Sequence, residues 1–265
     1  MTVIPAPVAG PDILIDIVDM QNDFILKDGA CTHPTGAGLP LVPLFNRFVA
    51  QLTPAHARLA LIKFDTHFVD EYRQSEEAKL FPNAHCVFGT PGQAATVDFG
   101  PLVTAIPTSY MNKNEFSMWG ANPTDISKVK FASADEEAGY RNLFKVTPRF
   151  NDLEPGVPRD AWLKANNVVP GKTTIVVAGI YADYCTRDAL KGYLDQGFNV
   201  IMLTDLTAGI GGNPERSGAD LTGHIDQVCT QAFDKALLSG QLKKMTSDEF
   251  LARPAGKAAP LRMTA

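Results

Sequence analysis

At 265 residues, 45% hydrophobic and 20% charged, the chain has the composition of a folded protein long enough to bury a substantial core. Its formal net charge of −5 argues against a nucleic-acid or anionic-membrane surface as the main partner. The N-terminal stretch has no basic region, Asp12, Asp16 and Asp19 interrupt it, and no run approaches the ~18 apolar residues of a membrane span, so neither signal peptide nor anchor is expected.

The four cysteines, Cys31, Cys86, Cys185 and Cys229, are scattered and form no CxxC pair, which suggests reduced thiols and a cytoplasmic setting. Residues 1–12, punctuated by Pro and Gly, read as an extended arm. Ile13 to Val18, apolar except for Asp16, reads as a buried strand. It ends in Asp19-Met20-Gln21-Asn22-Asp23-Phe24, which is too polar to continue in a core. Asp19 is then either a buried acid at the carboxyl end of a strand or a turn or helix-cap residue. Residues 27–38 are a loop by composition. Leu41 to Leu52 has helical spacing, with Val42, Phe45, Phe48 and Val49 on one face.

Leu59 to Phe64 reads as a second strand, followed by Asp65-Thr66-His67. An alternating Asp-x-His in extended chain puts both side chains on one side. With His85 in the adjoining loop, two imidazoles and a carboxylate make the donor set of an open metal site. Short Asp-x-His pairs also arise by chance, and a lone histidine is commonly structural. Residues 102–112 contain a strand weakened by Pro107 and lead into Lys113. That lysine is a solvated surface charge unless the fold brings it beside Asp19 and Cys185. Residues 120–160 carry no long periodic segment, and Asp160 could cap a short helix running through Asn166.

From Thr173 to Ile210 the pattern is strand, helix, strand, with the helix from about Asp183 and the second strand over Val200 to Leu203. Cys185 falls in the first turn of that helix, where the helix dipole and unpaired N–H groups favour a thiolate. It also falls at the carboxyl edge of a strand, where open sheets bind ligands. Cys185 is therefore the candidate nucleophile. Gly211-Gly212-Asn213-Pro214 opens a further helical pattern that Gly240 stops, residues 246–251 form a last short element, and the tail from Pro254 is expected to be disordered. The alternation predicts an α/β fold, a doubly wound and mostly parallel sheet with helices on both faces, as a single domain over residues 1–265.

In this order the motifs resemble the isochorismatase-like cysteine hydrolases, and within them the nicotinamidases. Val18 to Phe24 matches the family's Val-Asp-Met-Gln-Asn-Asp-Phe strand end, and Gly179 to Cys185 its Gly-Ile/Leu-x-x-Asp-x-Cys segment. Lys113, Ser117 and Trp119 match its Lys-x-x-x-Ser-x-Phe/Trp context. Asp65, His67 and His85, followed by Cys86-Val87-Phe88-Gly89-Thr90-Pro91-Gly92, match the additional nicotinamidase motifs. The agreement covers most of residues 13–240 and fails between about 120 and 170, which reads as an insertion.

The resemblance implies a three-layer, Rossmann-type fold and an amidohydrolase that converts nicotinamide to nicotinate and ammonia through a thioester. It makes Cys185 the nucleophile, Asp19 the general base and Lys113 the cation beside both. It makes Asp65, His67 and His85 ligands of a divalent metal, zinc in the first instance, with iron or manganese as alternatives. It places the oxyanion on the backbone N–H groups of Tyr181 and Cys185, beside a family cis peptide at Ile180–Tyr181, and Phe24 and Tyr181 against the substrate. The expected partners are a small-molecule amide and further copies of the chain in a homo-oligomer, with no nucleic acid and no membrane. Three departures bear on the substrate: Tyr181 stands where the family has a small residue, the approach from Phe81 to His85 is one residue longer, and the insertion sets Lys113 and Cys185 farther apart than is usual in the family. The same chemistry on another small heteroaromatic or carbamoyl amide is the alternative, and a non-catalytic binding protein on the same fold is a further one.

Overall fold

The computed structural model describes residues 11–32, 36, 38–210 and 233–253. Among the described residues there are eight strands: β1 Ile13–Val18, β2 Leu59–Asp65, β3 Thr108–Lys113, β4 Lys145–Thr147, β5 Val157–Pro158, β6 Thr174–Ile180, β7 Asn199–Ala208 and β8 Leu242–Met245. They make one sheet in the order β5-β4-β3-β2-β1-β6-β7-β8. The strands from β3 through β8 in that order pair in parallel, and only the β3–β4 and β4–β5 pairings at one edge are antiparallel. The doubly wound α/β expectation is borne out.

Both faces of the sheet are covered, which is why its strands read as nearly continuous apolar runs. Ile13, Ile15 and Ile17 point into a core layer shared with the helix Leu41–Gln51 through Phe45, Phe48 and Val49. Leu14 and Val18 point the other way, into a layer shared with the helix Cys185–Asp195 through Ala189, Leu190 and Tyr193. Chain order reverses between β1 and β6, so the ends of these adjacent strands frame a topological switch point, where open sheets leave a crevice. Asp19 follows one and Cys185 the other.

Several boundaries differ from the sequence reading. The strand expected over 102–112 begins only at Thr108, because Gly100–Ala105 is a helix with Pro101 in its first turn, and Pro107 ends the crossing between them. The helix expected from Asp183 opens at Cys185 itself. Pro158, not Asp160, occupies the cap position of the helix Arg159–Ala165, and Asp160 lies in its first turn. The segment from 120 to 170 contains a helix, Ala134–Arg141, capped by the Ser133 side chain on the Glu136 N–H. β4, β5 and β8 are too short for periodicity to reveal. Residues 233–239 are helical and Gly240 follows at φ 75°, while the start of that pattern at 211–232, the arm at 1–10 and the tail from 254 lie outside the described residues.

The polar interruption of β1 is resolved by a partner on the neighbouring strand. Asp16 is fully buried, and its Oδ2 lies 2.7 Å from Nζ of the equally buried Lys63 on β2. Lys63 also reaches Met118 Sδ at 3.1 Å and lies 5.9 Å from the centre of the Tyr193 ring. Burial pushes the Asp16 carboxyl above its usual range while the Lys63 charge pulls against it. Breaking one side of such a pair costs far more than replacing both. Asp16→Leu is predicted to lower unfolding free energy by about 3–5 kcal/mol in urea titrations. Asp16→Leu with Lys63→Met recovers most of that loss; equal stability of the single and double variants would refute the pairing.

Candidate active site

The carboxyl ends of β1, β2, β3 and β6 converge. Asp19 leaves β1 in the left-handed region, φ 52°, held by its N–H donating 3.1 Å to the Lys63 carbonyl. An L-residue holds that conformation only where its surroundings enforce it. Lys113 closes β3 and stands in register beside Asp65, the last residue of β2. After β6 the Ile180–Tyr181 peptide is cis, and a short turn delivers Cys185 to the helix start.

Lys113 Nζ sits among all of them. It donates to Asp19 Oδ2 at 2.8 Å, approaches Cys185 Sγ at 3.4 Å and lies 3.5 Å from Asp65 Oδ1. Asp19, Asp65 and Lys113 are each 1% exposed, and Cys185 is 7% exposed. Burial alone would favour a neutral Lys113, but the surrounding Asp19, Cys185 and Asp65 keep it charged, well above its ordinary range. Burial pushes Asp19 up, and Lys113 only partly reverses this. Burial likewise drives the Cys185 thiol well above its ordinary range, with Lys113 opposing and Asp19 reinforcing. Desolvation therefore works against the thiolate that the helix start and the lysine favour. The geometry instead sets a thiol beside a carboxyl that can exchange a proton with it.

Asp65, His67 and His85 are brought together as their spacing suggested, and Glu77 joins them. One ligand atom from each lies within 4.8 Å of all the others, and all four residues are buried. His67 Nε2 is 3.0 Å from Asp65 Oδ2 and 3.5 Å from Glu77 Oε2; His85 Nε2 is 3.4 Å from Asp65 Oδ2 and from Glu77 Oε1. Asp65 Oδ2, Glu77 Oε2 and both Nε2 atoms are buried without a hydrogen-bond partner among the described residues, and they face one another across one small space. Four donors about 2.1 Å from a tetrahedral ion stand roughly 3.4 Å apart, so the set fits a divalent cation. His85 Nδ1 is turned away toward the Asn83 carbonyl at 3.0 Å, which leaves Nε2 on the converging side. Sequence reasoning missed Glu77. It lies between His67 and His85, but so does Glu76, whose side chain is 82% exposed, and spacing does not choose between them.

Gln21, Asn22 and Asp23 fasten the site's loops. Gln21 accepts from Asp65 N at 2.7 Å and donates to Asp65 O and Gln93 O. Asn22 donates to Pro91 O at 2.8 Å, and Asp23 Oδ2 accepts from Cys86 N at 2.7 Å. A cavity of about 190 Å³ opens between Asp19, Cys185 and Glu77, walled by Phe24, Phe81, Phe116, Tyr181 and Tyr184. This is below the ~300–1,000 Å³ of drug-sized pockets and suits a single small ring. Phe24 lies edge-on to His85, 5.2 Å between centres, and the Tyr181 hydroxyl donates 2.7 Å to the Phe24 carbonyl. The ring of Tyr181 is thus tied into the wall beside Phe24. Phe116 and Tyr184, unremarked in sequence, complete the opposite side, with ring centres 5.3 Å apart.

No family model matches the chain. It is 25% identical over 216 residues to the nicotinamidase/pyrazinamidase of Mycobacterium tuberculosis, covering 81% of this chain and 97% of that protein. Among solved structures, it is similar to a pyrazinamidase of Pyrococcus horikoshii in complex with zinc, at 20% identity and a TM-score of 0.55, covering 89% of this chain and 99% of that one. It is also similar to an isochorismatase family protein from Desulfovibrio vulgaris, at 18% identity and a TM-score of 0.55, covering 92% and 100%. The solved structures bear out the expected fold, and the curated relative accords with the resemblance to the nicotinamidases.

Protons and a metal compete for the cluster. Burial would lower the basicity of His67 and His85, but Asp65 beside both outweighs it and holds each ring well above its ordinary pKa. A metal needs the neutral rings, so uptake must displace protons and weaken as pH falls. Calorimetric titration of the protein with Zn²⁺ in buffers of different ionisation heat is predicted to show net proton release; buffer-independent heats would refute this.

Proposed function

We propose that the chain is a metal-containing cysteine amidohydrolase that converts nicotinamide to nicotinate and ammonia. The observation that carries this reading is the Lys113 ammonium in contact with Asp19, Cys185 and the metal-site carboxylate Asp65 at once. The similarity to the Mycobacterium tuberculosis nicotinamidase/pyrazinamidase supports the choice of substrate. A flat, uncharged ring suits the aromatic walls of the cavity, and the single small volume leaves room for little beyond a carboxamide.

Asp65, His67, Glu77 and His85 would hold the metal, with zinc the first choice for two imidazoles and carboxylates. Bound there, it would supply a Lewis-acid contact for the ring nitrogen of the substrate. The covalent chemistry belongs to the chain's own side chains. Asp19 takes the Cys185 proton as sulfur bonds to the amide carbon, and Lys113 keeps the ionised carboxylate and sulfur stable in a buried setting. Backbone N–H groups of Tyr181 and Cys185 receive the oxyanion, at the start of a helix whose first-turn donors lack intrahelical partners. Asp19 returns its proton to the departing nitrogen, so ammonia leaves and a thioester remains. Asp19 then draws a proton from water as the water oxygen attacks that carbon, and passes it to the departing sulfur, so the acid is released and the thiol restored.

Ammonia release from nicotinamide by the reduced, zinc-loaded protein is the direct test, and no turnover would overturn the reading. Cys185→Ala is predicted to abolish hydrolysis while zinc content measured by atomic absorption stays at the wild-type level. Asp19→Asn should lower kcat by about 10²–10⁴-fold, the range for a lost general base. Wild-type kcat in that variant would remove Asp19 from the mechanism.

A further inference from the structure

We propose that Glu71 is a positioning residue for the metal centre, the carboxylate that fixes the His67 ring with Nδ1 toward it and Nε2 toward the metal. The inference rests on the metal reading above and adds a residue outside the ligand set. Glu71 is 0% exposed, and its Oε2 lies 3.6 Å from His67 Nδ1. That nitrogen is buried and without a hydrogen-bond partner among the described residues, while its other ring nitrogen points at Asp65 and Glu77. A gap of 3.6 Å is beyond hydrogen-bond range, and the proposed bond requires the two groups to close by a few tenths of an ångström.

The rest of Glu71 is already anchored for that purpose. Its Oε2 accepts from the Phe68 N–H at 3.3 Å, and its Oε1 accepts from Asn114 Nδ2 at 2.8 Å. Asn114 also donates 3.1 Å to Asn122 Oδ1, which accepts in turn from Thr124 N. Among the described residues no lysine or arginine pairs with Glu71, so this buried carboxylate has His67 as its cationic neighbour. An isolated buried carboxylate is costly. An imidazole bound to a divalent ion is a strengthened Nδ1–H donor, and that is the partner that would satisfy it. The arrangement ties a ligand on the β2 side to Asn114, the residue after Lys113, and through Asn122 to the insertion.

The experiment compares full-length wild type, Glu71→Gln and Asn122→Ala after metal removal. Zn²⁺ affinity is read by chelator competition, and the ligand field by the absorption of bound Co²⁺. Glu71→Gln keeps the side-chain volume and is expected to weaken Zn²⁺ binding about 10–100-fold and to shift the Co²⁺ bands. Asn122→Ala, at a half-buried position, is expected to show a smaller loss in the same direction. Folded Glu71→Gln with wild-type affinity and an unchanged Co²⁺ spectrum would overturn the proposal. If circular dichroism shows Glu71→Gln unfolded, Asn122→Ala decides: unchanged affinity and spectrum overturn the proposal, and a shift in both supports it. Wild type that binds neither ion would overturn the metal reading and this inference with it, which the wild-type arm alone reveals.

Discussion

A single buried ammonium governs the site. Lys113 has lost nearly all contact with water, and a cation in that position persists only when anions and acceptors enclose it. Asp19, Asp65 and the sulfur of Cys185 are those partners, each delivered by a different part of the sheet. Asp65 is shared further: it faces Lys113 through one oxygen and both imidazoles through the other. The thiol, the Asp19 carboxyl and the cluster of Asp65, His67, Glu77 and His85 are therefore one electrostatic unit, and a change in charge at any member is felt by the others.

That unit depends on backbone held in unfavourable places. Asp19 and Cys86 both lie in the left-handed region, at φ 52° and φ 45°. Gln21, Asn22 and Asp23 absorb the backbone groups that these turns leave unpaired, at Asp65, Pro91 and Cys86. Fit is close enough that a Cβ on Gly92 would stand 2.1 Å from the Asp23 carboxylate. The polar run after β1 thus has two tasks of different kinds. Asp19 faces the thiol, and the three residues from Gln21 clamp the loops that carry the ligands.

The segment from 120 to 170 is built into the same support. No residue of it lines the cavity. Its Val129, Tyr140, Leu143 and Phe144 instead form a small core with Phe68, one residue past His67, and with Phe88, three past His85. Phe68 and Phe88 are stacked with centres 5.3 Å apart, and the Phe88 ring lies so close to Gly139 that a Cβ there would meet it at 2.5 Å. Residues 129–144 thus pack against the loops that carry His67 and His85.

Local pattern determined much of this chain. Runs such as Ile13–Val18 and Thr174–Ile180 are strands in any context that buries both faces, and strand-helix alternation leads to a parallel sheet. The order of those strands sends their ends to one edge, so Asp19, Asp65, Lys113 and Cys185 could be named as a set from motifs alone. What the sequence left open depended on distance through space. Short β4, β5 and β8 have no readable period and exist because a neighbouring edge offers hydrogen bonds. Glu77 enters the metal cluster and Glu76 beside it does not, because one side chain turns inward on a short helix. The balance of forces on the Cys185 thiol also depends on the tertiary structure. A helix start and a lysine favour the thiolate, but the tertiary structure removes water and adds Asp19, and desolvation is the larger effect.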